Sequence, residues 1–259
     1  MRAGFVTRYV LPAGTLALLI ALWQGLVVAL DVPKLLLPAP SAIAAELVRW
    51  RGMLVQHTLI TLYETILGFL LGIVLGVPIA VAISTSRILQ NTIYPLIILA
   101  QSIPKVTIAP LFLIWLGYGL LPKVFVGFLV AFFPIVIDTA TGLNAVEPEL
   151  IDLTRALSAS EWQTLWRIRF PHALPFFFSG LKVSITLAVI GAVIGEFVGA
   201  NQGLGYLILT GTAELKTAFV FACMFLLSAI GVGLFALLVA VERFLIPWHT
   251  AHRSQAAGT

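Results

Sequence analysis

Charge and cysteine are both scarce in this sequence. Only 10% of its 259 residues are Asp, Glu, Lys or Arg, whereas 60% are hydrophobic and the mean hydropathy is +1.07. A soluble domain of this length does not need so much apolar surface, so the composition indicates a helical protein that crosses a membrane several times. The single cysteine, Cys223, lies in an apolar run, cannot form an internal disulfide and is expected to be buried.

Motifs that would place chemistry on this chain are also missing. There is no G-x-x-x-x-G-K-[ST] loop to hold phosphates, and no HExxH motif, Ser/His/Asp set or carboxylate pair within one apolar run. No basic face interleaves with aromatic residues as nucleic-acid binding requires. We therefore expect no catalytic residue, no metal, no cofactor on this chain and no nucleic-acid partner. The four histidines, none with metal-ligand spacing, are His57, His172, His249 and His252.

Long apolar runs predict an all-α fold with six spans in a single transmembrane domain, residues 1–259. The first run has no small-residue cleavage site, so we expect a retained helix instead of a signal peptide. Pro95, Pro104 and Pro110 predict that the third span is broken. A short amphipathic helix beginning at Ser41 should lie on the membrane surface. The predicted spans are Tyr9–Leu30, Thr58–Ile83, Thr92–Leu116, Val124–Leu143, Phe176–Val198 and Phe219–Ile246.

One polar segment, residues 144–175, interrupts the apolar pattern between the fourth and fifth spans. Its apolar residues have helical spacing in two runs, which predicts two short amphipathic helices outside the bilayer. Ser158 and Ser160 each have Glu or Gln three residues later, which is capping-box spacing, so the second helix should begin there. Pro171 lacks a backbone donor and should end or kink that helix near Arg169–Phe170.

Part of the polar segment resembles the cytoplasmic EAA loop of permease subunits in bacterial ABC importers. The family pattern is Glu-Ala-Ala, three residues, Gly, nine residues, Ile, one residue and Leu-Pro; here Asp152, Ser158 and Ile168 take the Glu, Gly and Ile places. Pro171 takes the proline place, while both alanines, the glycine and the leucine are replaced. Serine in place of glycine matters because glycine tolerates a left-handed helix end more easily.

Other segments are similar to one subgroup of these permeases, the nitrate/sulfonate/taurine type. They follow the family's order along the chain and are Leu37–Ala42, Ile103–Val106, Ala109–Phe112, Phe132–Ile135 and Gly203–Tyr206. The resemblance implies a type I importer permease in the bacterial inner membrane, paired as a homodimer. It also implies two separate ATPase subunits that bind ATP–Mg, an extracytoplasmic substrate-binding protein, and a small anionic or heteroaromatic solute that the sequence does not name.

The resemblance further implies that the polar segment docks on the ATPase and transmits its movement to the spans. Apolar side chains would anchor the contact and charges would surround it. Alternatively, the segment could rest on lipid headgroups. The candidate coupling residues are Asp152, Leu153, Arg155, Ala156, Leu157, Ser158, Trp162, Arg167, Ile168 and Pro171.

Ionisable residues within the spans are costly against lipid, so they should face the bundle interior, a partner or water. Lys105, with Gln101 in the same broken span, could line a pathway for an anion; an internal ion pair or snorkelling is the alternative. Glu64 and Asp138 lie nearer span ends and are expected to be structural. Glu196 precedes a Gly-rich turn that it could orient or gate. The candidate pathway residues are Gln101, Lys105 and Glu196.

Lysine and arginine positions predict that both termini are cytoplasmic. With six spans and the N-terminus inside, nine basic residues lie in or beside cytoplasmic segments, five lie outside and Lys105 lies within the membrane. This orientation also puts the polar segment in the cytoplasm. The alternative function is a secondary transporter driven by an ion gradient, which would need carboxylates at mid-membrane and usually has inverted repeats; no clear repeat is visible.

Overall fold

The structure, a computed structural model, describes residues 11–247 of the chain. Within that range every regular element is helical, which confirms the all-α prediction. Arg2, Arg8, the start of the predicted first span at Tyr9, and the histidines His249 and His252 lie outside the described residues.

The order of helices matches the predicted order of spans. A 3₁₀ turn at Lys105–Thr107 and a π-helical turn at Leu165–Arg169 connect neighbouring helices. Between residues 11 and 247, five helices are long and apolar enough to cross a membrane, or six if one bent pair forms a single span. The helices are α1 (Leu11–Ala29), α2 (Pro40–Arg49), α3 (Arg51–Thr85), α4 (Arg87–Gln101), α5 (Ala109–Leu116), α6 (Leu120–Asn144), α7 (Pro148–Ala156), α8 (Glu161–Thr164), α9 (Phe170–Gly199), α10 (Leu204–Ala213) and α11 (Thr217–Leu245).

The predicted break in the third span is present, and one proline accounts for it. Helix α4 and the stretch Lys105–Leu116 meet at 79°. Pro104 has extended backbone immediately before the turn, where it cannot continue a helix. Pro95 stays inside α4, and Pro110 occupies the first turn of α5, where no backbone donor is needed. The chain therefore bends beside Gln101 and Lys105.

The core is a tight packing of α6 against α3 and α9. A Cβ atom at Gly68 of α3 would lie 2.9 Å from the backbone nitrogen of Phe128, and one at Gly191 of α9 would lie 2.7 Å from the Cα of Gly127. The small residues of α3, α6 and α9 thus let the helix backbones approach closely, as in other membrane bundles. Ile135 of α6 fills the space beside the next glycines of α3 and is fully buried.

Helices α1, α2 and α11 lie at the edge of this core. Of the residues in α1, only Val27 is buried, and the remainder present an apolar surface suited to lipid. Helix α2 begins at Pro40, one residue before the predicted start, and the backbone N–H of Ser41 donates to the side chain of Gln24 in α1. Helix α2 also packs against α11.

Candidate functional site

The first helix of the polar segment ends in a left-handed residue. Ser158 has φ of 56°, and the backbone N–H groups of Ser158 and Ala159 donate to the carbonyls of Arg155 and Thr154 at 2.9 and 3.0 Å. These bonds satisfy carbonyls that the end of α7 would otherwise leave without a donor. Serine therefore adopts, at the glycine place of the family pattern, the backbone conformation that glycine favours.

The second helix of the polar segment begins with one of the two predicted capping boxes. The Ser160 hydroxyl accepts from the backbone N–H of Gln163 at 3.2 Å, and the Gln163 side chain accepts from the backbone N–H of Ser160 at 2.9 Å. The alternative pairing of Ser158 with Glu161 is absent from the described chain. The structure therefore places the start of α8 at Glu161.

Of the two outcomes predicted near Arg169–Phe170, an end or a kink of that helix, the end is wrong. The chain instead passes through the π-helical turn into α9, so that one apolar helix extends over Glu161–Gly199. In the wider turn the backbone N–H of Phe170 bonds to the carbonyl of Leu165, and Pro171 follows in the first turn of α9. A widened turn accommodates a proline that would disrupt a regular helix at this point. The polar segment is consequently α7 plus an extension of the fifth span.

Specific contacts attach the polar segment to three spans. The hydroxyls of Thr154 and Thr164, both buried, lie 3.3 Å apart and join α7 to α8. Leu165 packs in a buried cluster with residues of α6 and α9. Arg169 donates to the backbone carbonyl of Ser84 at the end of α3, at 3.2 Å. A displacement of this segment would therefore act directly on α3, α6 and α9.

The side chains predicted to anchor a partner are exposed to solvent, although they are large and apolar. We call Leu153, Leu157, Trp162 and Trp166 the apolar patch; their exposed fractions are 55%, 73%, 66% and 47%. The two tryptophan rings meet edge to face with centroids 5.5 Å apart. The helix Glu161–Gly199 is about twice the length that a span needs, so its charged first turns can extend beyond the bilayer. Large exposed apolar side chains in such a position are typical of an interaction surface.

The other candidate coupling residues lie around this patch. Asp152 and Arg155 form an ion pair of 3.2 Å that is largely exposed, so it contributes little to stability. Ile168 is half-buried. The remaining candidates, all exposed, are Ala156, Ser158, Arg167 and Pro171. The structure thus places the predicted coupling residues within α7, α8, the turns that follow each of them and the first turn of α9, most of them exposed, while their role stays a prediction.

Lys105 and Gln101 meet at the bend of the third span. The Lys105 ammonium donates to the backbone carbonyl of Gln101 and stands 4.7 Å from the ring centroid of Phe133. Among the described residues no carboxylate forms an ion pair with Lys105, and no hydrogen bond joins Lys105 or Gln101 to Glu196. The three candidate pathway residues therefore do not form one site.

Glu196 is fully buried and binds the Gly-rich turn that follows α9. Its carboxylate accepts from the hydroxyl of Thr61 at 2.6 Å and from the backbone N–H of Gly205 at 2.5 Å. Thr61 in turn accepts from the backbone N–H of Leu204 at 2.8 Å. These bonds satisfy donors at the start of α10 and place a carboxylate at a helix N-terminus, which the helix dipole favours.

His57 completes this arrangement. The backbone N–H of Gly203 donates to His57 Nδ1 at 2.9 Å. The imidazole also lies nearly parallel to the ring of Tyr206, with an interplanar angle of 14°. Three successive backbone N–H groups, from Gly203 to Gly205, are therefore held by side chains of α3 and α9.

Glu64 and Lys123 form a buried ion pair that sequence reasoning missed. The Lys123 ammonium donates to Glu64 Oε1 at 2.6 Å, and the two side chains are 7% and 2% exposed. The Glu64 carboxyl is also close enough to that of Glu196 to interact with it. The structural role expected for Glu64 agrees with this pair, although its partner is 59 positions away. We call Thr61, Glu64, Lys123 and Glu196 the buried cluster.

A cavity of 710 Å³ lies against the buried cluster. Its walls are Ile60 and Glu64 of α3, the stretch from Tyr118 to Lys123, and residues 199–202 after α9. Glu196 does not line this cavity; its carboxylate binds Thr61 and the backbone of Gly205 instead. The cavity lies at one end of α3, α6 and α9, and the apolar patch lies at the opposite end of this bundle.

Known proteins resemble this chain over most of its length. Residues 68–247 match the family described as binding-protein-dependent transport system inner membrane component. A riboflavin transport system permease protein of Chloroflexus aurantiacus is 39% identical over 92% of this chain and 89% of its own length. A putative aliphatic sulfonates transport permease protein of Bacillus subtilis is 30% identical over 97% and 90%. A chain of the inward-facing MetNI methionine ABC transporter shares the fold, with a TM-score of 0.59 and 21% identity over 73% of this chain and 98% of that chain.

Proposed function

The chain belongs to the family of binding-protein-dependent transport system inner membrane components, and we propose that it forms the solute pathway of an importer driven by a separate ATPase. It is the permease subunit of an ABC importer, a subunit type that does not itself catalyse a reaction. In this proposal the polar segment lies in the cytoplasm and both termini lie on the same side of the membrane.

The apolar patch carries this proposal. Its four side chains are exposed in α7 and in the charged first turns of a 39-residue helix, about twice the length that a span needs, and an ATPase surface would bury them. Because Arg169 binds Ser84, and because α8 continues through the π-helical turn into the fifth span, the docked segment would move together with these helices. ATP binding would shift the spans only if the ATPase binds the segment differently in its two nucleotide states.

The remaining partners follow from the same family. We expect this chain to lie in the bacterial inner membrane together with a second copy of itself and two ATPase subunits that bind ATP–Mg. An extracytoplasmic binding protein would deliver the solute. The exposed apolar surfaces of α4 and α5 suit contact with lipid or with the second copy. Gln101 and Lys105, at the bend between these helices, remain candidates for the pathway.

The solute is proposed to be a small organic molecule with an anionic or heteroaromatic group. Support comes from the relatives, whose names refer to riboflavin and to aliphatic sulfonates. The cavity beside Lys123 also has the size of a small-molecule site, for which about 300–1,000 Å³ is usual.

The proposal is tested by truncating the apolar patch in the assembled transporter. We expect Leu157→Ala/Trp162→Ala to retain at least about tenfold less ATPase during purification, because truncated interface anchors cost about 2 kcal/mol or more each. Asp152→Ala/Arg155→Ala should either weaken ATPase retention less than the first double variant does or allow ATP hydrolysis without uptake. Leu36→Ala, an equally exposed leucine in the loop before α2, is the matched control.

Normal ATPase retention together with normal uptake in both double variants would show that the patch is not the docking surface. Uptake that survives ATP depletion and stops with an ionophore would instead support the ion-gradient transporter.

A further inference from the structure

The cavity beside the buried cluster is formed by parts of the chain that are distant in sequence. Helix α3, the start of α6 and the residues after α9 each provide one wall. In the proposed orientation all three walls lie at the outer ends of the spans, where a binding protein would release its solute. The volume of 710 Å³ is enough for a small organic solute.

The polar groups at this cavity have unused hydrogen-bonding capacity. The ammonium of Lys123 has three donors, yet Glu64 Oε1 is its single hydrogen-bond partner in the described chain. Glu64 Oε2 is buried and has no partner among the described residues. Buried polar groups without partners are costly, so a ligand that supplies both a donor and an acceptor would stabilise this site.

The charges around the cavity argue against a simple anion. Lys123 is already neutralised by Glu64 at 2.6 Å, and the carboxyl of Glu196 lies nearby. A free anion would have to displace Glu64 or approach its carboxylate, and a free cation would meet the ammonium of Lys123. Either event leaves an unpaired charge in a poorly solvated place, which is strongly unfavourable.

Lys105, the positive residue that the sequence indicated for the pathway, does not change this charge balance. It is absent from the cavity lining and lies at the bend of the third span. Its ammonium binds the Gln101 carbonyl and the face of Phe133. The charges that a solute meets in the cavity are therefore those of Glu64 and Lys123.

From this geometry we infer that the cavity is an outer binding site for the transported solute, and that the Glu64–Lys123 pair selects a dipolar solute without net charge. Such a molecule presents an anionic or carbonyl acceptor to Lys123 and an N–H donor to Glu64. Zwitterions and polar heteroaromatic molecules belong to this class. The inference depends on the proposed function, because it places the cavity on the import pathway.

The experiment measures protection of a cysteine introduced into the cavity wall. Cys223, the only cysteine of the sequence, is fully buried, so the native chain should react slowly with thiol reagents. Asn201→Cys provides a reactive thiol at the cavity. In the reconstituted complex with its ATPase, a membrane-impermeant methanethiosulfonate is added from outside in the presence of 2-aminoethanesulfonate, ethanesulfonate or ethylammonium at equal concentration and ionic strength.

We expect the zwitterion to slow labelling at least about threefold, while the anion and the cation leave the rate unchanged. In the Glu64→Gln background, where Lys123 is no longer neutralised, ethanesulfonate should become the protecting solute. In the Lys123→Gln background, ethylammonium should protect instead. Glu214→Gln alters an exposed ion pair outside this cavity. In this control the zwitterion should still protect the thiol better than the anion or the cation.

Because single variants leave a buried charge, they could fail to assemble. The neutral double variant Glu64→Gln/Lys123→Gln addresses this, since it keeps donors and acceptors and should bind the zwitterion less well without favouring either ion. The inference is wrong if the anion or the cation protects the native chain as well as the zwitterion, if none of the three solutes protects it, or if the thiol reacts only from the inner side. The same preparations report ATPase retention, so these outcomes can be told apart from failure of the proposed function.

Discussion

The two ends of the bundle differ in the side chains that they expose and bury. At one end the polar segment exposes large apolar side chains and is attached by a few contacts, such as the bond from Arg169 to Ser84. At the other end the buried cluster places charged side chains inside the protein, where Lys123 pairs with Glu64 and where Glu196 accepts from Thr61 and from a backbone N–H. The first end is incomplete without a partner, whereas the second carries much of its own stabilisation.

This contrast predicts where substitutions damage folding and where they damage assembly. Changes in the buried cluster should lower the stability of the isolated subunit. Changes in the polar segment should leave that stability nearly unchanged and alter what the subunit binds.

The largest loss of stability is expected from Lys123→Met. Removing the ammonium leaves Glu64 as an uncompensated buried charge, and breaking a buried pair in this way costs about 3–5 kcal/mol. The yield of monodisperse protein and its thermal unfolding in detergent measure the effect. Lys216→Met, at an ion pair that is more than half exposed, should cost no more than about 1 kcal/mol.

Adding Glu64→Gln to Lys123→Met should restore part of the lost stability, because the unpaired charge is removed. Equal stability of Lys123→Met and Lys216→Met would contradict the distinction between the two ends of the bundle.

A smaller loss is expected from Gly203→Ala. Gly203 has φ of 108°, and an added Cβ would overlap the carboxylate of Glu196. Backbone strain of this kind costs about 1–3 kcal/mol, to which the displaced carboxylate adds. Thermal unfolding again measures the change, and Gly231→Ala, where nothing lies within 4 Å of an added Cβ, is the matched control. Similar unfolding temperatures for both variants would show that the turn is not held as described.

A small gain is expected from Ser158→Gly. Serine has φ of 56° at the end of α7, and glycine reaches this conformation without the penalty of a side chain. The gain should be about 1 kcal/mol or less and confined to the polar segment, since left-handed backbone costs other residues about 1–2 kcal/mol. Proteolysis of the segment at rising temperature measures it. Cleavage that becomes faster in Ser158→Gly would mean that the serine side chain contributes more than its conformation costs.

Sequence patterns predicted the spans well because each apolar run is long and depends only on local composition. Pro104 likewise marked the break of the third span, since proline acts on its own backbone. The helix end expected at Arg169–Phe170 was wrong because a π-helical turn accommodated Pro171, and the pattern of apolar residues does not distinguish such a turn from a stop.

The buried cluster could not be predicted, because its residues meet only after the helices pack. Glu64 and Lys123 are 59 positions apart, and Lys182 pairs with Glu242 across 60 positions. This second pair holds Lys182 of α9 at the interface with α11. An acidic residue within one span and a basic residue at the edge of another indicate that the two spans can be joined by an ion pair. The sequence alone does not show which acidic residue pairs with which basic residue.

The most direct test of the account is the accessibility of Leu157→Cys in right-side-out and inside-out membranes. Cys223 is fully buried, so the introduced thiol should be the main reactive one. We predict that an impermeant maleimide labels it only from the cytoplasmic side, and that bound ATPase blocks the reaction. Labelling from the outside, or labelling that the ATPase does not affect, would contradict the assignment of the polar segment as the coupling surface.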